Sequence, residues 1–168
     1  MQSDAERRVF GAAAAVVIAL DAVTKYVAEL ELGAGQAVRI VGDWVRLHLV
    51  YNRGAAFGLH LGDYSRWIFL VIAIVAVVVL WRMSREAPVG DWFRQLALGL
   101  VAGGAAGNLV DRVRSGQGVV DFLDVGIGTL RWPTFNVADI AVSCGAIALA
   151  ISLWREDARR PAESPTPG

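Results

Sequence analysis

Two aspartates, Asp121 and Asp139, stand in apolar stretches of the sequence with no Lys or Arg within four residues on either side. An ionised carboxylate in such surroundings is costly, so each of these residues needs a functional reason to be there. When two carboxyl groups lie close together in a medium of low dielectric constant, one is held protonated while the other stays charged. Such a pair can activate a water molecule with its ionised member and donate to a peptide carbonyl with its protonated member. The residue types therefore suggest metal-free hydrolysis of a peptide bond, although they are not specific to it.

The elements that carry these residues are predicted to cross a membrane. The chain of 168 residues is 55% hydrophobic, which exceeds the apolar share of ordinary globular domains, and only 19% of its residues are charged. Four apolar stretches approach the length that a bilayer crossing requires. They are residues 10–28, 67–81, 93–110 and 135–154. We expect a mainly α-helical membrane protein with a single integral membrane domain over residues 1–158 and a disordered cytoplasmic tail over residues 159–168.

The first two spans each leave a question open. The first follows Arg7 and Arg8 and is also compatible with a cleaved signal peptide. We favour a retained anchor, because no small-x-small cleavage site directly follows the apolar run and three further spans come after it. The second span has only 15 uncharged residues, which is short for a full crossing at about 1.5 Å per residue. It must therefore borrow flanking residues.

The distribution of cations predicts the orientation. An even number of spans places both termini and the loop around residues 82–92 on the same side. Lys and Arg are about twice as dense in those segments as in the two long connections, residues 29–66 and 112–135. This bias predicts cytoplasmic termini and external connections.

The external connections are predicted to form a small sheet. Residues 44–52 alternate apolar with polar side chains, a pattern typical of a strand with one apolar face. Residues 119–132 predict two short strands around Gly126 and Gly128. We expect this sheet to rest on the membrane surface.

With that orientation, the polar residues of the spans gather near the external interface. Asp21 and Lys25 lie four residues apart on one predicted helix and are expected to form an ion pair. Asp111 is expected to be neutralised by Arg112 or by another interfacial cation. For these residues we favour a structural role. Three asparagines share the same level: Asn52, Asn108 and Asn136.

Composition excludes several other classes of function. Sixteen Lys plus Arg balance sixteen Asp plus Glu, so the chain lacks the basic field that nucleic acid requires. One cysteine, Cys144, rules out an intrachain disulfide, and with His48 and His60 it is too little for a typical zinc site. We therefore expect neither a metal nor another cofactor.

Small residues of the third and fourth spans are expected to serve helix packing. Ser143 and Cys144 are expected to be small buried residues of the fourth span. Gly103, Gly104 and Gly107 predict close helix packing in the third.

Two other classes of membrane protein explain part of this pattern. Intramembrane carboxylates also form proton or ion relays in transporters. A relay would be expected to spread its carboxylates across the membrane, whereas these lie at one face. A non-catalytic membrane scaffold would explain the hydrophobicity but not the clustered carboxylates.

Five motifs of the sequence resemble those of the lipoprotein signal peptidase family, also called signal peptidase II. They are DAVTK at 21–25, YNRGAAFG at 51–58, GGAAGNLVDR at 103–112, VVDF at 119–122 and FNVAD at 135–139. Their order and spacing cover the chain from the first predicted span to the fourth.

The resemblance implies an aspartic endopeptidase of the bacterial cytoplasmic (inner) membrane. Such an enzyme removes the signal peptide of a prolipoprotein by cleaving before a cysteine that already carries diacylglyceryl. The implied fold has four transmembrane helices, a small external β-cradle and an external helix, with the active site at the external face. Globomycin-type peptide inhibitors would occupy the same pocket. We expect a monomer whose partners are membrane lipid and diacylglyceryl-modified prolipoproteins.

The resemblance also assigns roles to individual residues. Asp121 and Asp139 match the catalytic dyad of the family, and Asp21 and Lys25 match a supporting pair. The positions that shape the pocket or hold the substrate match Asn52, Gly54, Asn108, Asp111, Arg112, Asn136 and Ala138.

Overall fold

The structure is a computed structural model that describes residues 4–33, 35–54 and 62–158. Its four long helices are α1 (Asp4–Glu31), α2 (Ser65–Glu86), α3 (Trp92–Arg114) and α4 (Val137–Asp157). Each is long and apolar enough to cross a membrane, which confirms the four predicted spans. The predicted disordered tail, residues 159–168, lies outside the described residues.

Helix α2 shows how the short second span reaches a full crossing. It begins two residues before the uncharged run and ends five residues after it, so that it contains 22 residues. At 1.5 Å per residue this is about 33 Å, close to the thickness of the hydrocarbon core. The prediction that this span borrows its flanking residues is confirmed.

Helix α3 is the most buried of the four helices, and it packs against α1, α2 and α4. Its glycines permit this close packing. A Cβ atom on Gly103 would lie 2.8 Å from the carbonyl oxygen of Ala14 on α1, and one on Gly104 would overlap the carbonyl oxygen of Ala138 on α4. The prediction of close packing through these glycines is confirmed.

Four antiparallel strands form one sheet at one end of the helices. They are β1 (Ala37–Val41), β2 (Val45–Asn52), β3 (Val119–Ile127) and β4 (Leu130–Arg131), and their spatial order follows the chain. The sheet confirms the predicted strand at 44–52 and the two predicted strands within 119–132, although β3 is longer than expected. Strand β1 was not predicted, because all five of its residues are exposed and the segment shows no alternation of apolar and polar side chains.

The sheet packs on the carboxyl end of α1 through a small apolar core. Leu47 and Leu49 of β2 contact a buried cluster formed by Ala28, Leu32 and Phe122. This contact fixes β2 and β3 above the carboxyl end of α1 and the amino end of α4. The described part of the connection between β2 and α2 contains a single 3-10 turn, Gly62–Tyr64. Residues 55–61 of that connection lie outside the described residues, and the residues that are described contain no α-helix besides α1 to α4 that would match the expected external helix.

Candidate active site

Asp121 and Asp139 reach the same site from two different elements. Asp121 lies in β3, where it pairs with Val50 of β2. Asp139 is in the first turn of α4, which begins with a capping box: the Asn136 side chain accepts from the Asp139 amide at 2.9 Å, and the Asp139 side chain accepts from the Asn136 amide at 3.2 Å. The Asn-x-x-Asp spacing before an apolar run is the sequence signal of such a cap. The cap at the start of α4 is therefore predictable from this spacing.

Asn136 joins the two carboxyl groups. Its side-chain Nδ2 donates to Asp121 Oδ1 at 2.7 Å, while its backbone amide and its side-chain oxygen make the cap with Asp139. Because Asn136 Oδ1 accepts from a backbone N–H, its amide can point only one way, with the NH₂ group toward Asp121. Asn136 is fully buried, so this orientation is held by packing as well.

Asn108 of α3 is oriented by a cation. Its Oδ1 accepts from Lys25 Nζ at 2.9 Å, and its Nδ2 donates to Asp139 Oδ1 at 2.8 Å. An ammonium group can only donate, so the carbonyl of this amide must face Lys25 and its NH₂ group must face Asp139. The position of Lys25 therefore ensures that Asp139 receives a hydrogen bond from the NH₂ group of Asn108.

Asn52, at the end of β2, supplies the second donor to Asp121. Its Nδ2 donates to Asp121 Oδ2 at 3.1 Å, and its Oδ1 accepts from the backbone amide of Gly54 at 2.9 Å. Both oxygens of Asp121 thus receive an amide N–H.

The predicted ion pair between Asp21 and Lys25 is present and includes a third residue. Lys25 Nζ lies 2.7 Å from Asp21 Oδ2 and 2.7 Å from Asp111 Oδ2, and all three side chains are almost completely buried. Asp111 is thus neutralised by Lys25 on another helix rather than by its neighbour Arg112. Gly107 makes room for this cluster, because a Cβ atom there would lie 2.6 Å from Asp21 Oδ2.

The buried carboxylates also hold the backbone beside the two candidate catalytic residues. Asp21 Oδ1 accepts from the amide of Ala138 at 2.9 Å, and Asp111 Oδ2 accepts from the amide of Val120 at 3.2 Å. Ala138 precedes Asp139, and Val120 precedes Asp121. The cluster of Asp21, Lys25 and Asp111 therefore positions Asp121 and Asp139 through the backbone, without contacting their side chains.

Arg112 holds the backbone on the other side of the site. Its Nη2 donates to the carbonyl of Gly54 at 2.9 Å and its Nη1 to the carbonyl of Asn108 at 3.1 Å. Arg66 of α2 in turn donates through Nε to the carbonyl of Arg112 at 2.7 Å. Arg66 was missed in the sequence, because nothing in its own surroundings there links it to the third span.

Asp121 and Asp139 have different electrostatic surroundings. Asp121 is 3% exposed, and its burial together with the negative charge of Asp139 raises its pKa to about 7, although Asn52 and Asn136 donate to it. Asp139 is half-buried at the amino end of α4, where its side chain accepts from the Asn136 amide and from Asn108 Nδ2. The raised pKa of Asp121 favours a proton on that carboxyl group, and one protonated carboxyl group beside a second carboxyl group is what combined acid and base catalysis needs.

The two carboxyl groups line a cavity of about 490 Å³. Its polar lining comes from the residues around the carboxylates, and much of its apolar wall comes from the segment that leads into α4. Besides Asp121 and Asp139, the lining residues are Asn52, Asn108, Arg112, Val119, Trp132, Pro133, Thr134, Phe135, Ile140, Val142, Ser143 and Cys144. In the part of the chain that is described, His, Cys, Asp and Glu side chains form no group of three placed to hold a metal ion.

The expectation that Ser143 and Cys144 are buried was wrong. Both are exposed and lie in the lining of the cavity. The reason is that α4 packs on α3 through a narrow face of small residues, which includes Ala138, Ala141 and Gly145. Ser143 and Cys144 fall outside that face and point away from the helix bundle.

Comparison with known proteins places the chain among close relatives. A family model described as signal peptidase (SPase) II matches residues 13–155. The chain is 40% identical over 145 residues to the lipoprotein signal peptidase of Francisella tularensis subsp. novicida (strain U112), which covers 84% of this chain and 89% of the relative. It is 42% identical over 149 residues to that of Nitratidesulfovibrio vulgaris (strain DP4), with 85% and 87% covered.

A solved structure shares the fold as well. A bacterial membrane enzyme determined by the in meso method at 2.3 Å resolution is similar with a TM-score of 0.81 and 29% sequence identity, over 92% of this chain and 93% of that one. A second, determined by the same method at 1.9 Å, gives a TM-score of 0.75 at 29% identity, over 88% of this chain and 93% of that one. The four helices and the small antiparallel sheet are therefore the architecture of a known group of membrane enzymes.

Proposed function

The chain belongs to the signal peptidase II family, and we propose that it works as an aspartic endopeptidase with Asp121 and Asp139 as its catalytic pair. Like its relatives it is a lipoprotein signal peptidase, which removes the signal peptide from prolipoproteins during lipoprotein maturation. One observation carries the aspartic assignment: Asn136 links both carboxyl groups at the wall of a single cavity, in surroundings that favour one shared proton.

In the proposed reaction Asp139 is the base and Asp121 the acid. Asp139 takes a proton from a water molecule, whose oxygen attacks the carbonyl carbon of the scissile peptide bond, while Asp121 gives its proton to the carbonyl oxygen. The resulting diol then collapses. Asp139 passes its proton to the leaving nitrogen as the C–N bond breaks, and Asp121 recovers a proton from one hydroxyl group. Both residues return to their starting states without a covalent intermediate.

The three asparagines serve the carboxylates in this proposal. Each of them donates an amide N–H to Asp121 or Asp139. Two other residues fix backbone groups next to the site: Arg112 donates to the carbonyl of Gly54, and Asp21 accepts from the amide of Ala138. Because the asparagine amides are already oriented toward the carboxylates, these donors need no reorganisation during the reaction.

The membrane does part of the positioning. A cysteine that carries diacylglyceryl stays at the interface while the apolar part of the signal peptide lies in the bilayer. This would bring the scissile bond to the end of the helices at which the carboxylates lie. We place that end at the external face of the bacterial cytoplasmic (inner) membrane, with both termini in the cytoplasm. Globomycin-type inhibitors would compete for the same cavity, and the enzyme would act as a monomer.

The test of this function uses purified protein in detergent with two forms of one prolipoprotein. One form carries diacylglyceryl on the cysteine that follows the signal peptide, and the other does not. We expect release of the signal peptide from the modified form alone, with the cut immediately before the modified cysteine, as measured by mass spectrometry of both products. Equal cleavage of the unmodified form, a cut elsewhere, or no cleavage of either form would contradict the proposed substrate.

A further inference from the structure

A second buried carboxylate lies in β3, three residues beyond Asp121 and outside the site. Asp124 is 5% exposed, and it accepts from Arg131 Nε at 2.8 Å and from Arg46 Nε at 2.9 Å. Burial alone would raise the pKa of Asp124, but the hydrogen bonds and charges of the two guanidinium groups bring it below its usual range. Asp124 is therefore ionised at neutral pH and forms charge-assisted hydrogen bonds to β2 and to β4.

Arg131 is held at three points by this arrangement. Besides the Asp124 carboxylate, it donates through Nη2 to the backbone carbonyl of Asp124 at 3.0 Å and through Nη1 to the carbonyl of Asp43 at 2.5 Å. A guanidinium group presents its donors in a rigid planar fork, so three contacts fix its position. Arg131 is the last residue of β4, and its fixed position defines where the chain goes next.

The next four residues form much of the apolar wall of the cavity. Residues 132–135 all line it, and Phe135 is followed by Asn136 at the start of α4. The segment is tied to β3 near both ends: the amide of Trp132 donates to the carbonyl of Val125 at 2.8 Å, and the amide of Phe135 donates to the carbonyl of Leu123 at 3.0 Å. Arg131 anchors the end of this wall that lies farther from α4.

We propose that Asp124 is a substrate-positioning residue of this peptidase. Asp124 acts through Arg131 to hold the wall formed by residues 132–135 at a distance from α4 that fits the substrate near its cleavage site. The inference rests on the proposed function. Asp124 touches neither of the two catalytic carboxylates among its described contacts, so its loss should weaken substrate binding and leave the chemical step intact.

The first test is the steady-state kinetics of Asp124→Asn on the diacylglyceryl-modified prolipoprotein. The substitution keeps the size of the side chain and removes its charge. We expect KM to rise about tenfold, the factor that loss of one charge-assisted hydrogen bond typically produces, with kcat within about twofold of wild type. The dependence of kcat on pH should be unchanged. An unchanged KM, or a loss confined to kcat, would overturn the proposal.

A matched control separates substrate positioning from general stability of the sheet. Arg46→Gln removes the other partner of the same carboxylate, but Arg46 lies on β2 and does not lead to the cavity wall. We expect Arg46→Gln to lower the melting temperature in detergent about as much as Asp124→Asn does, with a much smaller rise in KM. An equal rise in KM in both variants would show that Asp124 acts only on the sheet, and would overturn the proposal.

A second variant covers the case in which Asp124→Asn folds poorly. Arg131→Lys keeps the positive charge next to Asp124 but cannot reproduce the three contacts of the guanidinium group. It should raise KM as Asp124→Asn does, and the double variant should raise it no further than the larger single effect, because both changes act through one contact. Independent, multiplicative effects would contradict a shared path. The outcome is separate from that of the proposed function, which is tested on the wild-type enzyme by comparing the modified precursor with the unmodified one.

Discussion

Each asparagine of the site has one fixed neighbour that decides the direction of its amide. For Asn52 the neighbour is the amide of Gly54, for Asn108 it is the ammonium group of Lys25, and for Asn136 it is the amide of Asp139. None of these neighbours can accept a hydrogen bond, so each amide must turn its NH₂ group to a carboxylate. The two carboxylates are therefore surrounded by donors whose orientation does not depend on the substrate.

The proton on Asp121 leads to a prediction for pH dependence. A carboxyl group with a raised pKa is protonated below that pKa and loses its proton above it, and the pKa of Asp121 is about 7 because of its burial and the charge of Asp139. If Asp121 is the acid, kcat should fall as the pH rises through about 7. The measurement is kcat against pH on the diacylglyceryl-modified precursor, with substrate saturation checked at each pH. A kcat that increases through pH 8 would contradict the assignment of the acid.

Lys25 leads to a prediction for stability. It is the cation that contacts both Asp21 and Asp111 in a cluster almost without solvent exposure. Lys25→Met leaves two buried carboxylates without that partner, so the free energy of unfolding should fall by about 3 kcal/mol or more. Thermal unfolding in detergent measures this, with Arg39→Met as the control because the Arg39 side chain is 73% exposed. Equal stability of the two variants would mean that the cluster is not held by charge.

At the scale of elements, the sequence predicted those helices and strands that show a clear periodicity or a long hydrophobic run. The four spans, β2 and the hairpin of β3 and β4 could all be predicted. Strand β1 could not, because it is an edge strand that is exposed at all five positions. The exposure of Cys144 could not be predicted either, since a uniformly apolar helix does not reveal which narrow face packs against its neighbour.

The contact between α3 and α4 leads to a prediction for glycine. Gly104→Ala would place a Cβ atom against the carbonyl oxygen of Ala138 and push α4, which carries Asp139, away from α3, which carries Asn108. We expect lower thermal stability and a loss of activity. Gly11→Ala on α1 is the matched control, because nothing lies within 4 Å of its added Cβ atom. It should be neutral or slightly stabilising, since Ala favours a helix over Gly by about 1 kcal/mol. Equal effects of the two changes would contradict the role of close packing.

At the scale of the whole molecule, charged residues occupy the two ends and the middle is apolar. Residues 9–20, 67–81, 95–107 and 140–154 contain no Asp, Glu, Lys, Arg or His. A proton or ion relay would need such groups between the two faces, so the distribution disfavours transport.

The sequence predicted that the charged residues of the spans gather near one face, but the long-range contacts among them could not be predicted. Asp21 and Ala138, for example, are hydrogen-bonded across 117 positions of the chain.

The orientation leads to a prediction for labelling. In a Cys144→Ala background, which should retain near wild-type activity, single cysteines are placed at exposed positions of opposite ends: Thr129→Cys in the turn between β3 and β4, and Val89→Cys in the loop between α2 and α3. A membrane-impermeant maleimide should label Thr129→Cys in intact cells and Val89→Cys only after permeabilisation. The reverse pattern would place the carboxylates at the wrong face for exported precursors.

The most direct test of the aspartic mechanism is single-turnover cleavage by Asp121→Asn, Asp139→Asn and the double variant. Asparagine keeps the size of the side chain but cannot exchange a proton, so each single change should slow cleavage of the diacylglyceryl-modified precursor by at least about a thousandfold. The double variant should be hardly slower, because the two carboxyl groups act as one unit. All three variants should still bind the precursor. If either single variant kept about a tenth or more of the wild-type rate, the paired-carboxylate mechanism would be wrong.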